Sequence, residues 1–88
     1  MKRINSVKQA ENVLKRDLGD GGYDLRTREG KEWAYSYLSG WRNVSQGVAY
    51  YKDMIYGATG REFSASETAL LREAWAQLRD RYGKALGK

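Results

Sequence analysis

The feature that most constrains this chain lies in its last third, where Ser64 stands three residues before Glu67 and Leu71, Ala74, Trp75, Leu78 and Tyr82 follow at the intervals of one helix face. A serine and a glutamate at that spacing satisfy backbone N–H groups that the first turn of a helix leaves without partners, and Phe63 just before them is placed to fix the entry of the chain. The spacing predicts a helix over 65–82, ended by Gly83, with an apolar stripe that the rest of the chain must cover. A chain of 88 residues has material for one modest core, hiding about 60–65 % of the unfolded surface. One domain spanning 1–88 is therefore expected.

Two further helices follow from the same signals. Ser6 with Gln9 has capping-box spacing, and Val7, Ala10, Val13, Leu14 and Leu18 recur helically up to Gly19, giving a helix over 7–18. Asn43 with Gln46 is a second capping pair, and Val44, Val48, Tyr51 and Ile55 give a helix over 44–56 before Gly57. Three glycines in the four residues 19–22 read as a flexible turn.

The segment between the first two helices reads differently. Over 24–32 a helix would bury only Leu25 and would carry Gly30 in its interior, whereas Tyr23, Leu25 and Thr27 alternate with Asp24, Arg26 and Arg28, and Trp33, Tyr35 and Tyr37 alternate with Ala34 and Ser36. A three-residue loop, Arg28-Glu29-Gly30, pairs Leu25 with Trp33 and Tyr23 with Tyr35 and sets Arg26 beside Glu32 on the other face. The expected fold is therefore α+β, an α-β-β-α-α chain with a two-stranded antiparallel hairpin over 22–28 and 31–38 packed against helices. The helix-favouring residues of "EGKEWA" speak for an all-α four-helix domain as the alternative.

Composition narrows the function. With 41 % hydrophobic and 31 % charged residues the chain is that of a globular domain. It has no cysteine and no histidine, which removes disulfides, thiolate zinc sites, cysteine nucleophiles and the commonest general base and metal ligand. No phosphate-cradling glycine loop, paired-carboxylate motif or nucleophile elbow is present, so a non-enzymatic protein without cofactor or metal is expected. Asn43-Val44-Ser45 matches a glycosylation sequon, but Asn43 reads as a helix cap. The N-terminal residues lack the apolar run of a signal peptide or membrane span, which points to the cytoplasm.

Sixteen Lys and Arg against eleven Asp and Glu give a net charge of +5 and a pI near 9.6, with the surplus held towards the two chain ends. That balance favours a polyanionic partner. The candidate contacts are the hairpin-tip residues Arg26, Arg28 and Lys31, then Arg42, and the C-terminal Arg79, Arg81 and Lys84, with Lys2, Arg3 and Lys88 extending the surface. Each has a plain structural alternative: charged turns discourage edge pairing of strands, and cations suit the C-terminal end of a helix dipole. Of the aromatic residues, Trp33, Tyr37, Tyr51 and Trp75 fall on faces expected inward, while Tyr50 and Tyr56 lie off the apolar stripe of their helix and are the candidates for an exposed patch. Two functions follow. One is a small basic accessory protein that contacts nucleic acid or a nucleoprotein complex through phosphates. The other is a protein–protein module, a regulator or inhibitor of the size carried by mobile elements, docking or self-associating through a tyrosine-bearing apolar surface.

Overall fold

A computed structural model describes residues 3–19 and 22–88, and its four helices are α1 (Val7–Gly19), α2 (Arg28–Ser39), α3 (Val44–Thr59) and α4 (Ala65–Ala85). The architecture is all-α, and the described residues contain no strand. The α+β class and the hairpin over 22–28 and 31–38 are thus corrected in favour of the four-helix alternative. Lys2 and part of the turn expected at 19–22 lie outside the described residues.

Three helices form where their caps and stripes place them. The Gln9 N–H donates to Ser6 Oγ at 3.2 Å, while the Gln9 side-chain oxygen accepts from the Asn5 N–H at 2.7 Å, one residue earlier than a reciprocal box requires. Asn43 Oδ1 accepts from the Gln46 N–H at 2.8 Å. At α4 the box is complete: the Glu67 N–H donates to Ser64 Oγ at 3.1 Å, and Glu67 Oε1 accepts from the Ser64 N–H at 3.0 Å. Two helices outrun their expected ends. Gly57 and Gly83 are both helical, and α3 stops instead at Gly60, whose φ of 76° lies in the left-handed region.

The hairpin fails at Thr27. Its side chain caps α2 by accepting from the Gly30 N–H at 3.0 Å, and its hydroxyl and N–H both donate to the Asp24 carbonyl, at 2.7 and 3.0 Å. Residues 24–27 therefore form a tight turn instead of a strand. Gly30 lies in the first turn of α2, where its close approach to Asp24 matters more than helix propensity: a Cβ there would fall 1.9 Å from the Asp24 carbonyl oxygen. From Gly30 onward the buried face is Gly30, Trp33, Ala34, Tyr37 and Leu38, a helical stripe. The alternation of Trp33, Tyr35 and Tyr37 had set Ala34 and Leu38 outward, yet these are buried at 0 % and 2 % exposure.

Helix α4 is the axis, and α1, α2 and α3 all pack on it. Its centre is Trp75, fully buried, with Nε1–H donating to the Leu38 carbonyl of α2 at 2.9 Å. Gly47 lets α3 reach this ring: a Cβ on Gly47 would stand 2.7 Å from Trp75 Cζ2 and 2.8 Å from Trp41 Cδ1. The N-terminal segment is tied in by the buried Glu67, whose Oε2 accepts from the Ile4 N–H at 2.9 Å and faces Arg61 at 3.5 Å. No helix among the described residues is long and apolar enough to cross a membrane.

Candidate functional site

The helical course of residues 28–39 puts Trp33, Tyr37 and Trp41 four residues apart, so their rings run up one side of α2 and beyond its end. Tyr23, from the preceding loop, stacks on Trp33 with centroids 5.0 Å apart and planes 12° apart. Trp33 stacks on Tyr37 at 6.0 Å, Tyr37 meets Trp41 edge-on at 6.0 Å, and Trp41 packs against Tyr50 of α3 at 4.8 Å. The result is a continuous chain of five rings across the α2–α3 side of the protein. Its ends face solvent: Tyr23 is 37 % exposed and Tyr50 54 %, and Met54, one helical turn after Tyr50, is 46 % exposed. Large apolar side chains left in water beside one another mark interaction surfaces more often than scattered single ones do.

Beneath this face lies a cavity of about 210 Å³. Helix α1 contributes Leu14, Asp17 and Leu18 to its wall, α2 contributes Trp33, Tyr37 and Leu38, and α3 and α4 add Tyr51, Met54 and Trp75. The acidic residue among them is Asp17. It accepts a hydrogen bond from the Tyr51 hydroxyl and has the Arg16 guanidinium at 3.5 Å on its outer side. Burial, reinforced by that hydrogen bond, drives the Tyr51 phenol far above its ordinary pKa, so it remains a neutral donor to Asp17. Burial also raises Tyr37, helped by the neighbouring Tyr50 and Asp17. The Tyr37 hydroxyl and the Trp41 indole N–H are buried without a hydrogen-bond partner among the described residues.

The cations predicted to meet a partner are dispersed, and with no hairpin there is no tip to gather them. Arg26 lies in the loop before α2, its guanidinium 3.0 Å from the Asp24 carboxylate, and Arg28 in the first turn of α2 pairs with Glu32 at 3.1 Å. Lys31 is half-buried on α2, and Arg42 is exposed in the α2–α3 loop, next in sequence to Trp41. Arg81 points to α1, where it donates to the buried Glu11 carboxylate at 2.9 Å. Only at the end of α4 are predicted residues brought together: Arg79 and Lys84 line a shallow depression with Tyr35, Asp80, Gly83 and Lys88, although Arg79 also faces Asp80 at 3.7 Å. Lys88 lies over the Tyr35 ring at 5.2 Å.

Tyr50 and Tyr56 are exposed, but they diverge. Tyr50 belongs to the aromatic face, whereas Tyr56, 55 % exposed, lines a separate polar depression with Lys52, Asp53, Arg61, Glu62 and Phe63. The sequence reading missed Asp17, Met54 and the joint role of Trp33, Tyr37 and Trp41. The i, i+4, i+8 spacing of the last three was available as a signal, and the pairing of Asp17 with Tyr51, 34 positions apart, was not. Comparison with protein-family models, with curated proteins and with solved structures gives no match.

Proposed function

We propose that this protein is a non-enzymatic cytoplasmic binding module whose working surface is the aromatic face of α2 and α3, docked against a second protein. One observation carries the reading: Tyr23 and Tyr50 are left in water at the two ends of a ring chain running through half-buried Trp33, Tyr37 and Trp41, and the exposed Met54 lines a cavity that shares Trp33 and Tyr37 with that chain. Tyrosine and tryptophan supply large contact area at little cost in side-chain entropy and dominate the energetics of protein interfaces. A face with a recess suits a partner that offers a protruding group. In a symmetric pairing each recess would have to be filled by another group of the same face of the second copy, a constraint that a different protein does not face.

A photo-crosslinking residue in place of Met54 tests this, with one in place of Arg72, exposed on α4, as control. Expected is a single heterologous protein captured from position 54 and absent from position 72, lost when Tyr23 and Tyr50 are both changed to serine. Identical products from both positions, or a crosslinked dimer of this chain, would overturn the reading.

A second reading rests on the depression formed by Tyr35, Arg79, Asp80, Lys84 and Lys88, which offers phosphates of nucleic acid three cations, Lys84, Lys88 and an Arg79 shared with Asp80 at 3.7 Å. Three phosphate contacts predict a log–log salt slope of about −2.7 on duplex DNA. Absence of retention on mixed-sequence DNA or RNA at low salt would eliminate it. Arg26, Arg28 and Arg81 weaken this reading, since each is already held by a carboxylate of the chain.

A further inference from the structure

The recess in the aromatic face is one-sided in its chemistry. Four rings line it, those of Trp33, Tyr37, Tyr51 and Trp75, together with the Asp17 carboxylate and no lysine or arginine. Rings carry partial negative charge on their faces. Tyr51 spends its hydroxyl proton on Asp17, so that hydroxyl offers lone pairs to a third group. A phosphate or carboxylate guest would meet Asp17 and no cation among the lining residues. A neutral hydrocarbon guest would suit the rings but would strip water from the Asp17 carboxylate and return nothing.

A guest with apolar surface and a diffuse positive charge satisfies both walls at once, by cation–π attraction to the rings and by charge attraction to Asp17. Whether its nitrogen carries hydrogens then matters. Asp17 already accepts from Tyr51 on one oxygen and faces Arg16 with the other, and a bare ammonium would have to give up a strong hydration shell in this largely apolar recess to reach its remaining lone pairs. A methylated nitrogen needs no acceptors. Size agrees as well: a cavity of about 150 Å³ admits benzene, and this one, at about 210 Å³, has room for a trimethylammonium head and the methylene next to it.

Resting on the docking role of the same face, we infer that the cavity receives a trimethylated lysine side chain of the partner protein, with Asp17 as its counter-ion and the half-buried Trp33 and Tyr37 as its cage, above a floor to which the buried Tyr51 and Trp75 belong. A protein-borne guest is favoured over free choline because Met54, on the wall of the recess, and Tyr23 and Tyr50, at the two ends of the ring chain that includes its Trp33 and Tyr37, are exposed and would stay in water around a small molecule.

The test uses the full chain and four probes: a short peptide with a central trimethyllysine, the same peptide with unmodified lysine, the same peptide with the uncharged tert-butyl analogue of trimethyllysine, and choline. Binding is followed by tryptophan fluorescence and by calorimetry. The trimethyllysine peptide is expected to bind about tenfold or more tighter than the uncharged analogue, and tighter than unmodified lysine or choline. Asp17→Asn, checked for unchanged circular dichroism, should bring the charged and uncharged peptides within about twofold of each other. Equal binding of the two by the wild-type protein would overturn the inference without recourse to any variant. Preference for unmodified lysine, preference for choline, or no binding of any probe would overturn it too. Capture from position 54 with no trimethylammonium preference would leave the docking surface standing and remove the cage alone. Trimethyllysine binding without capture would do the reverse.

Discussion

Two glycines of α3 should answer the same substitution with opposite signs. Replacing an interior helical glycine by alanine contributes up to about 1 kcal/mol through the unfolded chain's lost freedom. At Gly57 nothing lies within 4 Å of the new methyl group, so the gain should appear, reduced to about 0.5 kcal/mol because the helix ends two residues later at Thr59. At Gly47 the methyl would stand 2.7 Å from Trp75 Cζ2 and 2.8 Å from Trp41 Cδ1, against the ~3.5–4.0 Å of a relaxed carbon contact. Each ring would have to retreat by nearly 1 Å. Trp75 has nowhere to go, being fully buried and hydrogen-bonded to the Leu38 carbonyl. Overpacking of this kind costs about 1–3 kcal/mol. Gly47 is the fourth residue of α3, so its propensity gain is also about 0.5 kcal/mol, and Gly47→Ala should destabilise by about 0.5–2.5 kcal/mol, a loss of roughly 2–20 °C in Tm for a domain of this size. Urea unfolding followed by tryptophan fluorescence and circular dichroism reads both variants on one scale, and Gly47→Ala should shift the midpoint with little change in slope. A Gly47→Ala protein as stable as wild type would refute the packing of Trp41 and Trp75 against α3, and with it the rigidity of the aromatic face.

Gly30→Ala should be the more damaging change, about 3 kcal/mol, because the obstacle is the Asp24 backbone carbonyl and no side chain can swing aside; thermal unfolding measures it. Stability should fall on both sides of a neutral plateau. Glu67 is held below its ordinary carboxylate pKa of 4.5, chiefly by the Ser64 and Ile4 N–H groups. It therefore binds its proton more readily when unfolded, and its contribution is present above pH 4.5 and is lost as pH falls through its lowered folded value. Glu67→Gln should flatten that acid limb. Tyr37 and Tyr51 have raised pKa values, Tyr51 the more strongly. Their contributions are complete below the ordinary phenol value of 10.0 and should fade as pH rises above it, with Tyr51→Phe shrinking the alkaline limb in urea titrations at fixed ionic strength. Tyr50→Ser, at a site 54 % exposed, should leave Tm within a few degrees while abolishing partner capture.

What could be read in advance divides along the range of the interactions. The caps at Ser64 and Asn43 and the stripes of α1, α3 and α4 are local, and local spacing found them. Residues 23–38 were misread because two periods overlap there. Trp33, Tyr35 and Tyr37 satisfy a period of two, while Gly30, Trp33, Ala34, Tyr37 and Leu38 satisfy the helical one. Ring size drew attention to the first pattern, yet the small residues decided the outcome, because Ala34 and Gly30 are where α2 is buried most closely. The same overlap explains the third aromatic. Tyr35 belongs to neither the core stripe nor the aromatic face, and it rests on Gly83, where a Cβ would meet its ring at 3.0 Å. A glycine that looked like the end of α4 is thus a seat for a ring from α2, and the helix runs on past it to Ala85. The error in secondary structure carried directly into the site. A strand would have turned Trp33, Tyr35 and Tyr37 to one side and left Arg28 to Lys31 as the exposed tip. The helix separates those rings, sends Tyr35 to α4, and aligns Trp33 with Tyr37 and Trp41, the first two on the wall of the Asp17 recess. The proposed function moves from charge at a turn to aromatic surface on a helix because one threonine, Thr27, caps α2 where a strand was expected to pair.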